Sequence, residues 1–88
     1  MNMDPWKVLK SPMVTEKTIG LVEKENKIAF IVERNSNKKQ IKEAFEKVFG
    51  VKVEKITTEI TMRGEKRAII KLKPESKAAD VAVKLGIM

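Results

Sequence analysis

Apolar residues recur along this chain with two different periods, and the switches between them mark out its elements. Ile41, Ala44, Phe45, Val48 and Phe49 stand at i, i+3, i+4, i+7 and i+8, the stripe of an amphipathic helix. Asn37 with Gln40 three residues later makes a capping pair at its start, and Gly50 suits the left-handed position after its last turn. Burying each large side chain of the stripe contributes about 1.5–3 kcal/mol, so this helix should anchor the core. Upstream, Thr15 to Glu25 reads as a helix with Thr15 as N-cap, Ile19 and Val22 on one face and Asn26 as its breaker.

The other rhythm is extended. Lys27 to Val32 is β-branched and aromatic and apolar on both parities, as expected of a strand covered on part of both faces. Val51 to Thr61 reads as a second strand whose apolar parity changes from Val51 and Val53 to Ile56 and Ile60, which a bulge near Glu54-Lys55 explains. After the turn Met62-Arg63-Gly64-Glu65, Lys66 to Lys73 forms a third strand. It sets Ala68, Ile70 and Leu72 on one face and Arg67, Ile69, Lys71 and Lys73 on the other, and pairs with the second strand as an antiparallel hairpin. Pro74 ends it, and Ser76 is the expected cap of a last helix in which Ala78, Val81, Ala82 and Leu85 repeat before Gly86.

The order helix, strand, helix, strand, strand, helix predicts an α+β fold. Its expected form is a small antiparallel sheet of three main strands with helices packed mainly on one face, a ferredoxin-like α/β plait, because each helix has only one apolar stripe to hide. No repeat, linker or low-complexity tract interrupts residues 1–88, which read as one domain. A chain of 88 residues can bury only roughly 60–65% of the surface it exposes unfolded, so part of its stability is expected from permanent assembly with a partner.

Charge narrows the partner. Nineteen Lys and Arg against twelve Asp and Glu give a net charge of +7, which favours a polyanion, although acidic residues are interspersed and a merely solvated charged surface stays open as an alternative. The absence of cysteine excludes disulfides and thiolate metal sites. The start Met1-Asn2-Met3-Asp4-Pro5-Trp6-Lys7 lacks the apolar run of a signal peptide and no stretch has transmembrane length, so a cytoplasmic address without membrane insertion is expected. Either Met1 or Met3 can be the natural start.

Catalysis is poorly supported. The chain has no His, Cys or Tyr, and Gly20, Gly50, Gly64 and Gly86 form no phosphate-cradling loop. Glu43 and Glu46 lie beside Lys42 and Lys47 and read as a solvated face. Small α+β hydrolases of acyl phosphates share this size, yet the glycine-rich anion loop that chemistry requires is missing. No enzyme activity, cofactor, metal or small-molecule substrate is expected.

RNA binding fits the placement of charge better. Lys7, Lys10 and Lys17 gather in the N-terminal segment, Lys38, Lys39 and Lys42 at the start of the central helix, and Arg63, Lys66, Arg67, Lys71 and Lys73 along the hairpin. The aromatics are only Trp6, Phe30, Phe45 and Phe49, two of them on the core stripe, and no aromatic follows Arg63-Gly64 where base stacking would need one. Recognition of folded RNA by shape, phosphate and 2′-hydroxyl contacts is therefore expected. Trp6 is either a lid over the core or a partner contact.

These residues carry a family resemblance. Lys66-Arg67-Ala68-Ile69-Ile70-Lys71-Leu72-Lys73, followed after seven residues by Val81, is similar to the signature of the twenty-third protein of the large ribosomal subunit in its archaeal form. Lys10-Ser11-Pro12-Met13-Val14-Thr15-Glu16-Lys17, Asn37-Lys38-Lys39-Gln40-Ile41-Lys42 and Val51-Lys52-Val53-Glu54-Lys55-Ile56-Thr57-Thr58 resemble further family segments, so the likeness covers almost the whole chain.

The resemblance implies a ribosomal protein that binds large-subunit rRNA and neighbouring ribosomal proteins beside the exit of the nascent-peptide tunnel. The rRNA-binding set it suggests is Lys7, Lys10, Lys17, Lys38, Lys39, Lys55, Thr57, Arg63, Lys66, Arg67 and Lys71. The residue matching the family's acidic docking position is Glu16. In an archaeal chain the docking factor would be the signal recognition particle, a nascent-chain-associated complex or the translocation channel. An interaction module that docks proteins through Glu16 and Glu23 is the second reading. Bacterial members extend the loop that here is the tight turn Thr61 to Glu65, so this chain is not expected to line the tunnel wall. Family members often carry Thr and Asn where Asn37 and Thr57 stand, and both replacements keep a short polar side chain. Sixteen of the nineteen basic residues are Lys, and Glu is abundant, a bias found in thermophiles.

Overall fold

The computed structural model describes residues 5–86. The alternative starts Met1 and Met3 and the side chain of Trp6 lie outside the described residues.

Thr15 caps its helix as expected and the Asn37–Gln40 pair forms; a reciprocal Thr15–Thr18 pair is found in addition. Thr15 Oγ1 accepts the Thr18 N–H at 3.1 Å and Thr18 Oγ1 accepts the Thr15 N–H at 2.8 Å, opening helix α2 (Glu16–Glu25). Asn37 and Gln40 exchange the same bonds at 2.8 and 2.9 Å at the start of helix α3 (Lys38–Phe49), and Gly50 ends it at φ 64°. A one-turn helix α1 (Pro5–Val8) precedes them.

Among the described residues four strands make one antiparallel sheet: β1 (Leu9–Pro12), β2 (Lys27–Val32), β3 (Val53–Ile60) and β4 (Lys66–Leu72), in the order β1-β2-β4-β3. The α+β class and the hairpin are as the sequence predicts, and β1 is the addition. Its sequence Leu-Lys-Ser-Pro has no strand pattern and only Leu9 is fully buried. It becomes a strand because β2 offers an open edge, where Leu9 lies opposite Val32 and the Met13 N–H reaches the Ala29 carbonyl at 2.9 Å.

The expected bulge sits between Val53, opposite Leu72, and Lys55, opposite Lys71, leaving Glu54 out of the ladder. It allows Val53 and Ile56, three residues apart, to be buried together. With Ile28, Phe30 and Val32 of β2 and Ala68, Ile70 and Leu72 of β4 they form the covered face of the sheet. Onto it pack Ile41, Ala44 and Phe45 of α3 and Ala78, Val81 and Ala82 of helix α4 (Ala78–Leu85). The Phe30 and Phe45 rings meet edge to face with centroids 5.7 Å apart, and Phe49 tilts against both. Helix α2 is the exception to one-sided packing. Val22 enters the core, while Lys17, Thr18 and Leu21 border the opposite face, and Ala29 on that face is 1% exposed.

Two expectations are corrected. Ser76 does not cap α4: its Oγ accepts the Lys52 N–H at 3.0 Å, and Lys77 occupies the cap position without a side-chain bond. The cap comes from Asn26, fifty-two residues away in sequence, whose Oδ1 accepts the Ala78 N–H at 2.7 Å. Asn26 also holds the left-handed conformation that ends α2 (φ 56°), and its Nδ2 donates to the carbonyls of Leu72, Lys73 and Ser76. One side chain thus fastens α2, the end of β4 and the start of α4 together. Glu46, read as part of a solvated face, is half-buried and accepts the Val53 N–H at 2.8 Å, tying α3 to the first residue of β3.

Candidate RNA interface

Strand parity and register decide which basic side chains share a surface. On the outer face, Lys27 of β2, Lys71 of β4 and Lys55 of β3 lie directly opposite one another. Since adjacent strands are about 4.8 Å apart, three ammonium stems rise within about 10 Å. Glu25 pairs with Lys27 at 3.2 Å and Glu54 with Lys71 at 3.5 Å, whereas Lys55 is exposed and has no ion pair among the described residues. The next row is Ala29, Ile69 and the exposed Thr57, and the one after it Ile31, Arg67 and Glu59.

Arg67 is less free than its place in a basic hairpin suggests. It pairs with Glu59 across the strands, its Nη1 lies 3.7 Å from Met13 Sδ, and its Nε is buried with no acceptor among the described residues. With Lys17, Leu21 and Thr57 it lines a groove of about 250 Å³ between α2 and the outer face. Lys66 points elsewhere. Opposite Val32 and Ile60 it belongs to the covered side, and its ammonium donates to the Ser36 carbonyl before α3. That orientation was legible, because Lys66 shares parity with Ala68 and Ile70.

A second basic surface flanks the free edge of β3. Lys38, Lys39 and Lys42 from the first half of α3 line a groove of about 220 Å³ with Lys55, over Val53 and Ile56. Of the remaining expected residues, Lys7 and Arg63 are exposed, and Lys10 pairs with Glu33 at 3.5 Å. The turn carrying Arg63 is tight, closed by Thr61 N–H to the Glu65 carbonyl at 2.8 Å and Gly64 N–H to the Thr61 carbonyl at 2.9 Å. The structure therefore gathers Lys17, Lys55, Thr57, Arg67 and Lys71 on or beside the outer face and Lys38 and Lys39 next to the β3 edge, and separates Lys66 from both.

Lys27 stands in the row with Lys71 and Lys55 although the sequence pattern alone does not single it out. Its parity with Ala29 and Ile31 was readable, but its alignment with Lys71 and Lys55 depends on pairings between distant segments. Glu16 is exposed in the first turn of α2, where its charge complements the helix dipole, and Val14, 48% exposed, lies just before it. Among the described residues no helix is long and apolar enough to cross a membrane.

Comparison with known proteins identifies the family. The family model described as Ribosomal protein L23 matches residues 7–86. The chain is 51% identical over 85 residues to the large ribosomal subunit protein uL23 of Methanothermobacter thermautotrophicus, covering 97% of this chain and 99% of that protein. The uL23 proteins of Methanobrevibacter smithii and Methanococcus vannielii are 49% and 48% identical with the same coverage. The match runs from α1 to the end of α4 and so includes both basic surfaces. This chain belongs to the ribosomal protein L23 family in its archaeal form, and is a structural constituent of the large ribosomal subunit rather than an enzyme.

Proposed function

We propose that residues 1–88 act as one rRNA-binding domain. It holds large-subunit rRNA through the outer face of its sheet, the hairpin turn and the N-terminal basic segment, beside the exit of the nascent-peptide tunnel. The observation that carries this reading is the line of Lys27, Lys71 and Lys55 across three strands, flanked by Thr57 and Lys17. Like charges directly opposite each other oppose folding, and a phosphate backbone relieves that repulsion. The tight Thr61–Glu65 turn is too short to reach along a tunnel wall, which favours a place at the rim. The test is a salt titration of the purified chain on a large-subunit rRNA fragment. Binding should weaken steeply as salt rises, and Lys71→Gln and Arg63→Gln should each reduce the slope by about 0.7–0.9, one contact apiece. A flat salt dependence would overturn the reading.

Glu16 supports a second, compatible role. An exposed carboxylate beside the half-exposed Val14, with Glu23 exposed on the same helix, suits docking of a factor that receives the nascent chain. The family resemblance suggests the signal recognition particle, a nascent-chain-associated complex or the translocation channel. Glu16→Lys should leave incorporation into ribosomes intact and weaken factor recruitment; lost incorporation would instead assign Glu16 to the fold or the RNA contact.

A further inference from the structure

Two groups of lysines stand where the fold is worse off for having them. Lys38 and Lys39 fill the first turn of α3, which holds no acidic residue, so they oppose the helix dipole. Lys42 lies one turn on, at i+4 and i+3 from them, adding like-charge repulsion along one face. On the other side of the sheet, Lys27, Lys71 and Lys55 face one another across adjacent strands. Glu25 and Glu54 answer only Lys27 and Lys71, and Lys38, Lys39, Lys42 and Lys55 have no ion pair among the described residues. Placements that break local rules without a compensating contact mark a surface whose complement lies outside the chain.

The two groups are joined. Lys55 belongs to the outer row through its pairing with Lys71 and also lines the groove with Lys38, Lys39 and Lys42. It sits on β3, an edge strand with no further strand beyond it among the described residues. From these positions we infer, resting on the rRNA-binding reading above, that the lysines form one phosphate track. A single, unpaired segment of rRNA passes over the outer row, turns around the free edge of β3 at Lys55, and continues along the first half of α3. Lys27 and Lys42 are thereby RNA contacts. A duplex does not fit this path, because a stiff helix cannot turn around the edge of one strand. The groove beside α3 has no aromatic lining, so its contacts are with phosphates and carry no base sequence.

The chain contains no cysteine, which makes the path directly testable. Lys27→Cys and Lys42→Cys, each carrying a tethered iron chelate that cuts nearby RNA backbone, are bound as full-length chains to large-subunit rRNA. Cuts from both positions are expected in one continuous unpaired stretch of nucleotides. Cuts in two segments far apart in the RNA sequence, or cuts from one position only, would overturn the track. In parallel, Lys27→Gln and Lys42→Gln should each weaken binding about fivefold near 0.1 M salt, the value implied by a slope of about −0.7 per contact on single strands. Lys84→Gln on α4 should leave binding unchanged. Lys42→Gln, which has no ion pair to lose among the described residues, should also melt about 1–3 °C higher in the free protein, since repulsion is removed. If the wild-type chain fails to bind, the rRNA-binding reading falls and the track with it. If it binds with a steep salt dependence while Lys27 and Lys42 are silent, the reading stands and the track alone is wrong.

Discussion

Strand β4 lends its two faces to opposite tasks. Ala68, Ile70 and Leu72 are each 1% exposed or less and close the core against α3 and α4. Arg67, Ile69 and Lys71, alternating with them, stay half-buried on a face that carries lysines from three strands. The covered face is settled by shape, because a close-packed interior penalises a missing methylene. The outer face is set by charge, and Glu25 and Glu54 answer its like charges only in part. Stability and binding are therefore expected to separate cleanly by face.

The largest expected effect lies on the covered side. Ile70→Ala should destabilise the free protein by about 2–5 kcal/mol, measured by urea unfolding, a large share of what a small domain has. A loss below about 1 kcal/mol would mean that the core lies elsewhere. Next comes the junction between the layers. Asn26→Ala removes the cap of α4 and the two amide hydrogens shared among three carbonyls and strains a left-handed backbone, for an expected cost of about 2–4 kcal/mol. Asn26→Gly should recover only the backbone share, and full recovery would show that the side-chain bonds do not matter.

On the outer face the balance reverses. Lys71→Gln should leave unfolding free energy within about 0.5 kcal/mol while weakening rRNA binding about fivefold in a filter-binding assay near 0.1 M salt. A stability loss comparable to that of Ile70→Ala would erase the distinction between the faces. The smallest effect is expected at Glu59, which occupies Arg67 across the strands. Glu59→Gln should cost at most about 1 kcal/mol of stability and tighten RNA binding by releasing the guanidinium. Weaker binding would show that Glu59 orients Arg67 for the RNA.

The stripe from Ile41 to Phe49, its Asn37–Gln40 cap, the β2 bounds and the Glu54-Lys55 bulge were legible because each depends on neighbours within a few positions. Strand β1 was not, since four residues with one buried side chain have no pattern until an open edge is present. The cap of α4 was misread at Ser76 for the same kind of reason. Local sequence offered a good capping residue nearby, but the Ala78 N–H was taken by Asn26 from across the molecule. The family was legible from the hairpin and flanking motifs, and with it the class of partner.

What the sequence determined by itself was the helical and extended segments, the net positive charge and the lack of reactive groups. All of these follow from local periodicity or from composition. Only the tertiary structure decided which charges stand together. It set Lys27, Lys71 and Lys55 in one line, committed Lys66 and much of Arg67 to internal partners, and brought Lys38, Lys39 and Lys42 to the same strand edge as Lys55. Those relations depend on register and packing between segments up to 54 positions apart, and the period of a strand or helix, which fixes the face of a side chain, does not fix the neighbour across it.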